Sequence, residues 1–203
     1  KMVPKITAGE KVGVFCSVAG RTQVIEYSDL PTEHANATTE DGSLRFIAGS
    51  IAIHVLAVDF IGRVTSEKSE TSMPFHHARK KVPFWNPENR ETVVPTEPNG
   101  TKFEMFVFDA LEFVKKGLVY ETDRVEEFAP IKNADGGDSA ESSGRLQTER
   151  AARWMESAGL KIARNDDGTV NGRIEITSAT ALAAADLAGQ LCPEFSPGGD
   201  LLF

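Results

Sequence analysis

Two lysines stand in settings suited to holding an anion. Lys132 closes the apolar stretch Phe128-Ala129-Pro130-Ile131 and is followed by Asn-Ala-Asp-Gly-Gly-Asp-Ser. Gly reaches positive φ, and Asp and Ser bond to nearby backbone, so these residues favour turns over regular structure. Lys132 thus lies where ordered chain gives way to a loop. Lys102 follows the tight-turn pair Asn99-Gly100 in "EPNGTKFEMFVFD" and falls in the first turn of an expected helix. A cation is locally unfavourable at that end of a helix, but with exposed amides beside it the pair would form an anion site. Glu26 ends the strand-like run "TQVIEY", and side chains at the carboxyl ends of strands commonly meet ligands in α/β sheets. "HHARKK" (76–81) resembles a metal or phosphate motif but lacks the i, i+4 histidine spacing of a zinc helix, and reads as a charged helix face.

The formal net charge of the 203-residue chain is −8, which argues against a general nucleic-acid binder, since phosphate-backbone contacts need a basic face. An anionic ligand must then be met by a few placed lysines or arginines. Apolar content of 40% and charged content of 26% are ordinary for a globular protein. No apolar run approaches the roughly 18 residues that span a bilayer, and no basic-then-apolar leader opens the chain, so neither a membrane nor secretion is indicated. Cys16 and Cys192 sit far apart in apolar contexts and read as two buried thiols in a reducing compartment, with a cytoplasmic location expected. The chain begins without Met and enters a strand-like segment at once, as a piece of a longer protein would.

The elements that must position these residues alternate in type. "VGVFCSV" and "TQVIEY" form an expected hairpin about Ala19-Gly20-Arg21, and residues 28–43 read as a loop. A short strand to Ile47 is expected next, then Gly49-Ser50 as turn and N-cap, then a helix burying Ile51, Val55, Val58 and Ile61, with alternating strand as the other option. Apolar residues at i, i+3, i+4 and i+7 predict a helix over 102–116, and "LVYET" (118–122) a strand after it. Further on, "LQTERAARWMESAG" predicts a helix ended by Gly159. "LKIA" and "GRIEIT" predict strands about an Asn165–Gly168 turn, and "SATALAAADLAGQL" a helix started by Ser178. Residues 136–144 read as a flexible linker or loop, and 145–203 as a small α+β subdomain. Spacing alone therefore supports an α/β protein with a small-anion site.

The ordered segments "VGVFCSVAGRTQVIEYSDL", "FIAGSIAIH", "KKVPFWN", "EPNGTKFEMFVFDAL" and "VYETDRVEEFAPIKNADG" are similar to the C-terminal half of eukaryotic-type UDP-N-acetylhexosamine pyrophosphorylases, within the UTP:sugar-1-phosphate uridylyltransferase family. The likeness covers roughly residues 3 to 135, and the pair "PNGxKxExFVFD" and "F(S/A)P(L/I)KNAD" is its specific part. It implies the C-terminal portion of a Rossmann-like nucleotidyltransferase domain (1–135), followed by the small subdomain. It also implies uridylyl transfer from UTP to a hexose 1-phosphate, N-acetylglucosamine 1-phosphate or glucose 1-phosphate. By position, Glu26 and Tyr27 would lie at the sugar, Phe106 and Phe108 would flank its pocket, and Lys102 and Lys132 would contact phosphate, Lys132 as the catalytic clamp. Ser50 stands where the family usually has Asn, which reaches the sugar hydroxyls. Mg²⁺ would be held mainly by substrate phosphates and by residues outside this stretch, because the family's GGxGTRLG loop and its magnesium aspartate are not found here. A non-catalytic UDP-sugar binder and an interaction module sharing only the fold are the alternative readings.

Overall fold

The computed structural model describes residues 1–66, 73–190 and 193–203, so Cys192 lies outside the described residues. The chain forms two compact units, Lys1–Glu121 and Thr122–Phe203, with mixed helices and strands.

In the first unit, β1 (Met2–Pro4), β2 (Val14–Val18), β3 (Arg21–Ile25) and β4 (Ala48–Ser50) make an antiparallel sheet in the order β1-β4-β2-β3. The hairpin falls as expected. Ala19 and Gly20 both have positive φ, 49° and 78°, the two-residue primed turn whose twist suits paired strands. Val3 and Val14 are fully buried, with Val12 and Val24 nearly so. Gly49 permits the close approach of β1, since a Cβ there would lie 3.0 Å from the Val3 carbonyl oxygen and 3.1 Å from Val12 Cγ2.

That packing overrides the helix expected from Ile51. Gly49 is paired on both sides, with Val3 and Val14, so 48–50 is strand rather than turn and cap. The helix α2 is shorter, Val58–Val64, and Val55 and Val58 are 96% and 82% exposed instead of buried. The loop expected at 28–43 holds one short helix, α1 (Thr32–Ala35).

"HHARKK" is likewise not helical. Strand β5 (His76–Lys80) precedes the hairpin of β6 (Phe84–Asn86) and β7 (Glu91–Val93), and it pairs antiparallel with β8 (Gly100–Glu104). The Asn99 side chain ties this pair beyond its end, accepting from Val82 N at 2.7 Å and donating to Val82 O at 3.0 Å. The predicted 102–116 helix therefore gives way to strand as far as Glu104, and only Val107–Phe113 winds, as a 3₁₀ helix η1. Lys102 consequently sits on a strand, and the helix-end argument does not apply to it. "LVYET" contributes a single bridge, Glu121 with Met2, rather than a strand.

The second unit is built on α4 (Ala140–Ser157), preceded by the single turn α3 (Arg124–Glu127). Ser139 caps α4 reciprocally with Ser142, so the expected linker at 136–144 instead contains a turn, an N-cap and the first helical turn. Gly159, at φ 94°, ends the helix as expected. Ala151, Ala152, Trp154 and Met155 pack with Val170, Ile174, Ala181 and Leu187. Two strands, β9 (Gly172–Glu175) and β10 (Gly199–Leu202), run parallel, so β9 is paired with β10 and not with "LKIA", whose neighbourhood has only the Arg164–Val170 bridge. Among the described residues of "SATALAAADLAGQL", a 3₁₀ turn η2 (Ala184–Leu187) takes the place of the expected helix. There the Asp186 carboxylate accepts from the Leu182 and Ala183 amides at 2.8 and 2.9 Å, satisfying donors that a helix begun at Ser178 would have used internally.

Candidate active site

Three residues of the sheet form one row. Ser50 N donates to Gly13 O at 2.7 Å, and the Val14–Ile25 and Val14–Gly49 pairs put Gly13 between Ser50 and Glu26. Directly opposed residues point to the same face of a sheet. The missing side chain at Gly13 is what makes room there: a Cβ would stand 2.8 Å from Val24 Cγ1 and 3.0 Å from Glu26 Oε2. The half-buried Glu26 carboxylate thus packs over Gly13 in space that a side chain there would take. Gly13→Ala should displace Glu26 and lower stability by roughly 1–3 kcal/mol through overpacking. Thermal denaturation checks this, with Gly9→Ala as the comparison, because a Cβ at Gly9 meets nothing within 4 Å.

After β3 the chain turns sharply. Glu26 O accepts from Asp29 N at 2.9 Å and from Leu30 N at 3.1 Å, and buried Leu30 anchors the far side. The turn leaves Tyr27 44% exposed. Asp29 Oδ2 lies 3.8 Å from His76 Nδ1, and His76 Nε2 is 2.8 Å from Asp109 Oδ2. Asp109 is buried at the start of η1. The His76 ring lies 4.6 Å from Phe106, which in turn stacks on Phe108 at 4.7 Å and 18°. Ser50 and Glu26 are thus related by register through Gly13, and Phe106 and Phe108 are joined to the Glu26–Asp29 turn through His76, while Tyr27 lies exposed in that turn. The linking residues went unassigned at the level of sequence. His76 was within reach, since strand alternation across 76–80 would have placed it on the same face as Ala78 and Lys80.

Lys102 lies on exposed β8 opposite Ala78 and pairs with Glu104 at 2.5 Å, two residues along the same face. Lys132 belongs to the second unit. Its amide and that of Asn133 both donate to Asp138 O, at 2.6 and 2.9 Å, while Asn133 Nδ2 donates to Gly137 O at 2.7 Å. Ser139 Oγ donates to Gly136 O at 2.7 Å. The loop 132–139 is thereby closed on itself just before α4, and Lys132 stays exposed. Cys16, expected to be buried, is only half-buried, and that partial burial pushes its thiol up from the ordinary value. Among the described residues no group of three or more His, Cys, Asp or Glu is arranged to hold a metal ion, and no helix is long and apolar enough to cross a membrane.

Comparison with known proteins shows the family of the chain. Residues 1–170 match the family described as UTP–glucose-1-phosphate uridylyltransferase. The UDP-N-acetylglucosamine pyrophosphorylase of Saccharomyces cerevisiae is 35% identical over 192 residues, which are 93% of this chain and 39% of that protein. The UDP-N-acetylhexosamine pyrophosphorylase-like protein 1 of Xenopus tropicalis is 40% identical over 161 residues, covering 78% and 31%. The crystal structure of the Trypanosoma brucei uridine diphosphate N-acetylglucosamine pyrophosphorylase covers all of this chain with 42% of its own, at a TM-score of 0.69 and 24% identity. The chain spans about a third of the length of the curated relatives it matches, 31% to 39% in these two cases. A match over residues 1–170, most of the chain, means that the chain belongs to the UTP–glucose-1-phosphate uridylyltransferase family.

Proposed function

We propose that the protein carrying this chain forms a UDP-sugar and pyrophosphate from UTP and a hexose 1-phosphate, N-acetylglucosamine 1-phosphate or glucose 1-phosphate. The observation that carries this reading is the family match over residues 1–170, the stretch that contains Glu26, Tyr27, Ser50, Phe106 and Phe108. Glu26 and Ser50, in register on either side of Gly13, offer an acceptor and a hydroxyl suited to sugar hydroxyls. Phe106 and Phe108 supply an aromatic wall. The sugar-phosphate oxygen attacks the α-phosphorus of UTP, the bond from that phosphorus to the bridging oxygen breaks, and pyrophosphate leaves. The protein's part in such a step is chiefly to position the reactants and neutralise charge. Lys102 and Lys132 serve that second need. Mg²⁺, when bound, neutralises phosphate charge further. On this reading the ion would be held mainly by phosphate oxygens and by residues elsewhere in the protein. The same reading makes the domain Rossmann-like, treats the chain as the sugar-side portion of a longer protein, and puts that protein in the cytoplasm.

Identifying the product by mass spectrometry after incubating the full-length protein with UTP and each of several hexose 1-phosphates tests the reading. A UDP-sugar is expected, and its absence with every sugar would contradict the proposal. Ser50→Asn adds an amide that can both donate and accept at the sugar. It should lower KM for N-acetylglucosamine 1-phosphate relative to glucose 1-phosphate by about three- to tenfold, the value of one hydrogen bond. Steady-state kinetics with the two sugars checks this.

A further inference from the structure

His76 meets three residues of the first unit, two at the start of η1 and one in the turn after β3. Its Nε2 lies 2.8 Å from Asp109 Oδ2, its ring 4.6 Å from the Phe106 ring, and its Nδ1 3.8 Å from Asp29 Oδ2. An ionised carboxylate only accepts hydrogen bonds, so His76 donates from Nε2 to Asp109, and Asp29 stands just beyond hydrogen-bond reach of the other nitrogen. What it holds needs holding. η1 is a 3₁₀ helix, whose hydrogen bonds are poorer than those of an α-helix, and Phe106 at its N-cap has no side-chain cap bond. Asp109 N donates to Phe106 O at 3.1 Å, so anchoring Asp109 also anchors the residue that carries the aromatic stack.

We propose that His76 is a positioning residue for the sugar pocket: its bond to Asp109 and its ring contact with Phe106 fix the Phe106–Phe108 stack against the Glu26–Asp29 turn. The proposal rests on the uridylyltransferase reading above and adds to it a determinant of sugar affinity that touches no substrate itself. Without His76, Phe106 must be ordered by the sugar on binding, which weakens affinity for the sugar and leaves UTP binding alone.

The test uses the full-length protein with three variants. His76→Ala removes both contacts, and His76→Phe keeps a ring but no donor. His76→Gln carries an amide nitrogen able to reach the Nε2 position. His76→Ala and His76→Phe should raise KM for the hexose 1-phosphate about tenfold, with KM for UTP within about twofold of the starting protein. His76→Gln should restore it to within about threefold. Asp109→Asn weakens the same bond from its other end and should give the same split even where His76→Ala does not fold. Equal rises in both KM values, a sugar KM that does not move, or a Gln variant as poor as Ala would each overturn the proposal. Where the starting protein binds a UDP-sugar without turnover, Kd for UDP-N-acetylglucosamine by calorimetry replaces KM, with the same expected ratios. A starting protein that neither makes nor binds any UDP-sugar would instead defeat the uridylyltransferase reading, and this inference with it.

Discussion

Lys132→Ala in the full-length protein should lower kcat/KM for UDP-sugar formation by about 10²–10³-fold, the usual effect of removing one placed group that meets developing charge. Lys132 is exposed, and the loop around it is closed by backbone and by the Asn133 and Ser139 side chains. Thermal stability should therefore stay within about 0.5 kcal/mol, as for surface substitutions generally. Lys132→Arg keeps the charge but spreads it over a planar fork, and should recover only part of the rate. Initial rates and melting curves measured on the same preparations check both halves. A loss of rate accompanied by an equal loss of stability would point to a structural lysine instead.

Met155→Ala should have the largest effect on folding. Met155 is fully buried on α4, in the cluster with Ala151, Ala152, Val170, Ile174 and Leu187. Truncation removes buried apolar area and leaves a cavity that the surrounding α4, β9 and η2 can only partly close, for a cost of about 2–5 kcal/mol. For a unit of this size each kcal/mol corresponds to roughly 4–8 °C in Tm. Leu182→Ala is the comparison, because Leu182 is 77% exposed and should change stability by less than about 0.5 kcal/mol. Denaturant titration of both variants separates the buried contribution from the exposed one.

The pattern of success and failure in reading this sequence follows from how far apart the decisive contacts lie. The 14–25 hairpin was legible because its turn is local: Ala19-Gly20 sets the twist, and the strands follow. The helix α4 was legible for the same reason, with apolar spacing along it and Gly159 at its end. The stretch 102–116 misled because Phe103, Met105, Phe106, Val107 and Phe108 are apolar on both faces, so helical spacing could be found in a chain whose exposure alternates along 103–108. Pairing with β5, more than twenty residues earlier in the chain, decides the outcome there. The candidate site could be named from the sequence only where motif residues mark it, as at Glu26, Phe106 and Lys132. It could not be named where the supporting residue is a closely packed glycine at Gly13 or a histidine on a neighbouring strand at His76, since neither leaves a local signature.

The central claim is tested most directly by measuring pyrophosphate release from UTP by the full-length protein, with Mg²⁺ present and the hexose 1-phosphate varied: N-acetylglucosamine, N-acetylgalactosamine, glucose and galactose. The account predicts release that requires a sugar phosphate, saturates with it, and falls by two to three orders of magnitude in Lys132→Ala. Release that ignores the sugar, or no release with any of the four, would contradict it.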